Sequence, residues 1–290
     1  MVLYHKTGRC DNVFVVFRII TPEKSILKRH HQRKTIEKSS ISSHSTEMAL
    51  PFFTLDILNE KQGINWEKVA LRCGRYSSRI VAPRNFILPD SSRLKRFVPQ
   101  TTVSHLVFNT ALKTVEKSRI EPTNLCITAT DSNAVYFSKI CDLLPFASCV
   151  RVITSHPERY ASACIKAYRD FGASLIIRGS YEAVNMPEII ICGDGAVSPE
   201  MNNAVIFASK RKSCGKLTVY GSGVKLTESH REIIGEDIDS VDFAGALTEL
   251  CGSAEYKNSV FEKTETTCNE CTGIPAENCL LCRLCGKSPL

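Results

Sequence analysis

From residue 121 onward, short apolar runs alternate with amphipathic stretches. The runs at 125–130, 150–155, 174–178, 188–192, 204–208 and 217–220 have strand length. The run Ile189, Ile190, Ile191, Cys192 is apolar throughout rather than alternating, the pattern of a strand buried on both faces of a parallel sheet. Residues 134–144 and 158–171 carry helical spacing, and Gly172 stands where a helix end favours glycine. Strands alternating with helices predict an α/β domain over 121–225, with a doubly wound, mostly parallel sheet.

Upstream the pattern is weaker. Residues 48–120 form a small helical and loop region, with a helix start at Asn65 and Trp66. A longer helix begins at Thr101 or Thr102 and runs to about Arg119. Between them, Arg72 to Pro99 holds seven basic residues against Asp90 alone and is punctuated by Pro83, Pro89 and Pro99, so it is expected to be extended. Residues 1–47 hold nine basic and four acidic residues and four of the seven histidines. Their one apolar stretch, 13–20, is interrupted by Arg18. They are read as a disordered basic arm or as an extension ahead of a start at Met48. Residues 226–256 are expected to close helically against the sheet, and 257–290 form a cysteine-rich tail.

Composition narrows the class. The 290 residues are 43% hydrophobic and 23% charged, as in a soluble globular protein. No apolar run reaches the ~20 residues of a membrane span, which predicts a cytoplasmic protein with no membrane partner. The net charge of +7 lies mostly in residues 1–47, a weak basis for nucleic-acid binding. Of fourteen cysteines, Cys126, Cys149 and Cys192 fall within apolar runs and behave as small hydrophobes in a reducing compartment.

The segment from Cys149 to Ala196 resembles the NADP-binding domain of shikimate dehydrogenase and glutamyl-tRNA reductase. There a strand ends in Asn-Arg-Thr with a further Arg, followed by a long helix and an apolar strand. Here the strand ends Thr154-Ser155-His156-Pro157-Glu158-Arg159, the helix exits at Phe171-Gly172-Ala173, and Pro187 precedes Glu188-Ile189-Ile190-Ile191. The resemblance covers about a sixth of the chain. It implies a Rossmann-like fold and NAD(P), with Ser155, His156 and Arg159 at the ribose end.

The first strand-to-helix turn departs from that family. A dinucleotide site carries Gly-x-Gly-x-x-Gly there so that backbone can approach the pyrophosphate. This chain has Thr128-Ala129-Thr130-Asp131-Ser132-Asn133. Side chains replace the glycines, and Asp131 brings a charge that repels phosphate while suiting a cap. Asp131 and Asp194 fall after neighbouring strands at the topological switch point, where a ligand is expected. Gly193 and Gly195 flank Asp194. The candidate cofactor set is therefore Thr128, Thr130, Asp131, Ser132, Asn133, Ser155, His156, Arg159, Gly193, Asp194 and Gly195. In the tail, Cys268-x-x-Cys271 and Cys279-x-x-Cys282-x-x-Cys285 have the spacing of zinc knuckles. Two functions remain open: an NAD(P)-type oxidoreductase with an atypical site, and a non-catalytic module with a degenerate nucleotide site. Both take a small-molecule ligand.

Overall fold

The computed structural model describes residues 13–20, 51–58, 64–118, 120–193, 204–209 and 217–266. Met48, Asp194, Gly195 and the five tail cysteines lie outside them. The chain divides into two compact units. One takes the described residues up to Pro99 together with Leu226–Tyr256, and the other takes Gln100–Lys225 and the chain from Lys257.

The first unit is built on three parallel strands, β1 (Phe14–Ile20), β2 (Phe52–Leu58) and β3 (Ile80–Val81), in the order β2-β1-β3. β1 is the central strand, and Phe14 to Phe17 have no exposed surface. The basic-arm reading of residues 1–47 is therefore corrected at this strand. Arg18, which breaks the apolar run, stands opposite Asp56 in register and donates two bonds to its carboxylate, at 2.6 and 2.9 Å. Charge in the run thus marks a cross-strand pair rather than a solvated arm.

Helix α1 (Trp66–Cys73) is capped by the Asn65 side chain, which accepts from the Lys68 amide at 2.9 Å. With Phe86 and Leu94 it packs on one sheet face, over Val15, Phe17, Leu55 and Ile57. On the other face Phe14 and Phe52 meet Phe243, with ring centroids 5.8 and 5.1 Å apart. Phe243 belongs to helix α5 (Ser240–Gly245), which runs on into a π-helical turn, Ala246–Leu250. Residues 226–256, expected to close helically against the sheet, belong with the small sheet's unit. Gly235, at φ 72°, separates α5 from helix α4 (Glu228–Ile234), and both share a unit with the small sheet. Arg96 spends its guanidinium on the Ala82, Pro83 and Phe86 carbonyls at 2.9, 2.6 and 2.6 Å. Arg84 pairs with Asp239. Two of the basic residues between 72 and 99 therefore serve the fold.

The second unit carries helix α2 (Thr101–Ser118), then β4 (Cys126–Thr130), β5 (Cys149–Ile153), helix α3 (Ala161–Phe171) and β6 (Leu175–Arg178). Strands β7 (Glu188–Cys192), β8 (Val205–Ala208), β9 (Leu217–Ser222) and β10 (Lys263–Thr266) follow. The seven strands lie in the order β10-β9-β8-β7-β4-β5-β6, all parallel except β10. Counted within the unit, strands one to six run 3-2-1-4-5-6, the Rossmann order. The chain thus has a Rossmann-like α/β fold. Every residue of β4, β7 and β8 is buried, in keeping with runs that are apolar apart from Thr128, Thr130 and Glu188. Gly172 closes α3 at φ 61°.

The predicted 134–144 helix is corrected. After β4 the chain makes turns, with Ala134 at φ 52°, and then a 3-10 helix, Ile140–Phe146, that contains Pro145. The Val135 and Tyr136 amides donate to the Asp131 carboxylate, and Pro145 has no N–H with which an α-helix could continue. The predicted 158–171 helix begins as a 3-10 turn, Pro157–Tyr160, before α3. Among the described residues no helix is long and apolar enough to cross a membrane.

Because β1 supplies the middle of the small sheet, Phe17→Ala should cost about 3–5 kcal/mol. Truncation at Met48 should abolish cooperative unfolding of the first unit in denaturant titrations. Unchanged unfolding after truncation would contradict the central placement of β1.

Candidate functional site

The switch point of the larger sheet lies between the carboxyl ends of β4 and β7. Asp131 follows β4 directly, and its amide donates to the Ile153 carbonyl at 2.9 Å, tying the turn to β5. Its carboxylate is 97% buried, as the residue's 3% exposure shows. One oxygen accepts from the Val135 amide at 2.7 Å. The other accepts from the Tyr136 amide at 2.6 Å and from the Tyr160 hydroxyl. Burial, then that bond and the Asp131 charge, push the Tyr160 phenol well above its ordinary range, so it remains a donor. Asp131 is therefore a buried clamp on the turn, with three of its roughly four acceptor sites taken by the chain itself.

Tyr136 completes the closure. It has no exposed surface, and its ring lies 4.9 Å from that of Phe108. Its hydroxyl donates to the Ser104 carbonyl at 3.1 Å. A Cβ on Gly193 would fall 1.7 Å from the Tyr136 hydroxyl oxygen. The glycine does permit a close approach, as its place after β7 suggested, but what approaches is a tyrosine of the same chain. The Ser104 hydroxyl donates to the Gly193 carbonyl at 3.2 Å and pins α2 to the same point.

The remaining candidates separate into two groups. Thr128 drops out of the ligand set: it has no exposed surface and donates to Glu188 inside the sheet. Thr130, at 6% exposure, donates to the Cys192 sulfur at 3.3 Å. Ser132, Asn133, Ser155, His156 and Arg159 are exposed and form a rim at the carboxyl ends of β4 and β5. The rim is stitched by a bond from the Ser155 hydroxyl to the Ser132 carbonyl, 3.1 Å long. His156 lies 3.4 Å from Glu158, and the Arg159 guanidinium has no partner among the described residues.

Sequence reasoning missed a second buried network. Arg151 of β5 and Glu188 of β7 are both over nine-tenths buried and stand 3.8 Å apart. Tyr181 donates to Glu188 at 2.7 Å, and Arg151 donates to the Glu182 carbonyl at 2.7 Å. Burial, then the bond to Glu188, raise the Tyr181 phenol. The single Arg and Glu among apolar strand residues were the signal, since such charges persist in a sheet only when paired. The buried thiols behave as expected of small hydrophobes: that of Cys126 is pushed up to about 12, chiefly by burial. Among the described residues no cluster of His, Cys, Asp and Glu can hold a metal.

No family model matches the chain, and no curated protein does. Among solved structures it is similar to L-tryptophan dehydrogenase from Nostoc punctiforme, at 14% identity and a TM-score of 0.33. The match covers 86% of this chain and 76% of that one. At that similarity the neighbour carries no argument about ligand or reaction, and the fold stands on its strand order.

Replacing Asp131 leaves three donors without their acceptor. Asp131→Ala should cost about 3 kcal/mol or more, and Tyr160→Phe, which removes one of those bonds, about 1–2 kcal/mol. Chemical denaturation checks both. Equal costs for the two variants would contradict the clamp.

Proposed function

We propose that this chain is a Rossmann-like nucleotide-binding protein of the NAD(P) type, whose site is reduced to the adenosine side. Ser155, His156 and Arg159 hold the ribose and its 2′-phosphate. The observation that carries this reading is the unpartnered Arg159 guanidinium beside His156 at the carboxyl end of β5. In the 3-2-1-4-5-6 order, an Arg near the end of that strand accommodates a ribose 2′-phosphate. A guanidinium suits a phosphate because it donates two parallel bonds to it.

A specific observation also favours a second reading, a non-catalytic module. An oxidoreductase must carry the pyrophosphate across Thr128–Asn133 to bring a nicotinamide to the switch point. There the Asp131 clamp and the packed Tyr136 occupy the approach that glycines leave open in a dinucleotide site. The ligand common to both readings is a nucleotide with a phosphorylated ribose.

Calorimetry of the full chain with adenosine 2′,5′-bisphosphate, NADP and NAD tests the proposal. The bisphosphate should bind, NADP should match it within about threefold, and NAD should be about tenfold weaker or worse. Arg159→Ala should erase the preference for the 2′-phosphate. NADP binding far tighter than the bisphosphate would show a dinucleotide crossing the turn and overturn the reduced site. If none of the three binds, the nucleotide reading falls.

A further inference from the structure

Beside α2 lies a second feature of the Rossmann-like unit: a cleft of about 510 Å³. Lys113 and Glu116 of α2, Lys139 and Asp142 after β4, and Lys225 after β9 line it. Its floor is built rather than incidental. The Lys139 ammonium donates to the Asn109 and Asn258 side-chain oxygens at 3.1 and 2.8 Å and to the Lys257 carbonyl at 3.3 Å. Those three bonds use its three protons and fix its position. The Asn109 amide nitrogen donates in turn to the Lys257 and Ser259 carbonyls at 3.2 and 2.8 Å. The charge therefore sits on a rigid floor and acts as a preset field rather than as a mobile side chain.

The surroundings show that this field is positive. His105 lies one turn before Asn109 on the same helix face and is 8% exposed, and its Nδ1 has no hydrogen-bond partner. Burial, then the Lys139 and Lys257 charges, push it down to about 4, so it stays neutral. The Lys139 ammonium is itself lowered, by burial and by Lys257. At the rim, Lys113 and Lys225 are exposed, with no partner among the described residues. Within the lining, Lys113, Lys139 and Lys225 outnumber Glu116 and Asp142 by one charge, and Lys257, whose charge acts on Lys139 from outside the lining, adds a second.

We infer that this cleft binds a compact dianion, a phosphate group or a dicarboxylate, held between Lys113 and Lys225 above the fixed Lys139. Counted with Lys257, the excess of two positive charges matches two negative ones. Both rim lysines can reorient to bond the anion, while Lys139 attracts it without moving. Glu116 and Asp142 disfavour larger polyanions that would spread along the walls.

Titration calorimetry of the full chain at low ionic strength, with inorganic phosphate and with succinate, tests the inference. At least one should bind saturably at one site per chain, and which one binds identifies the source of the dianion. Lys113→Ala and Lys225→Ala should each weaken binding about tenfold. Both positions are exposed, so the variants should keep the wild-type melting temperature. Arg159→Ala should leave this affinity unchanged, which separates the cleft from the β5 rim. No saturable binding of either anion, or binding that survives both lysine substitutions, overturns the inference.

Discussion

The buried carboxylate of Asp131 is the constraint on which the candidate site depends. It takes two backbone amides of its own turn and the phenol of Tyr160, which lies after β5. Each bond to a charged group is worth about 1.5–3 kcal/mol, and each donor left without one is costly. The chain after β4 therefore takes the turn that serves Asp131, in place of the helix that its spacing favours. That turn brings Tyr136 onto Gly193 and fills the space beside the switch point. Fold and site part company here: the strand order is the Rossmann order, and the first turn holds a bonded carboxylate and a packed tyrosine where a dinucleotide site has glycines.

A turn filled in this way is why the proposed binding falls to the periphery. The cations of the second unit stand in three settings. Arg151 is buried against Glu188 and holds the sheet. Lys139 is locked to three oxygens under α2. Arg159, Lys113 and Lys225 are exposed, with no side-chain partner among the described residues. A buried pair is strongly destabilising to break and weakly stabilising to keep, so Arg151 and Glu188 serve structure. The exposed cations are where a phosphate can be recognised without dismantling the fold.

The larger sheet was legible because β4, β7 and β8 are buried on both faces and read as mostly apolar runs. β1 was hidden by its setting in a basic stretch and by Arg18, whose partner Asp56 lies 38 residues away. No local pattern announces such a pair. β10, Lys263–Thr266, is a polar edge strand with mostly exposed residues, so burial left no trace in its sequence. At the site, the missing glycines and the place of Asp131 were readable. Its partners Tyr136 and Tyr160 were not, because a tyrosine in a helical-looking run gives no sign of which backbone it will meet. The cap reading of Asp131 foresaw its role as an acceptor for backbone amides, although no α-helix follows it.

Amide hydrogen exchange resolved to single residues tests the central claim most directly. The Val135 and Tyr136 amides, bonded to a buried carboxylate, should exchange only as slowly as global unfolding allows, and saturating NADP should leave them unchanged. Fast exchange of those amides in the free protein, or a change in their protection when NADP binds, would show that the turn opens to a cofactor and would contradict the account.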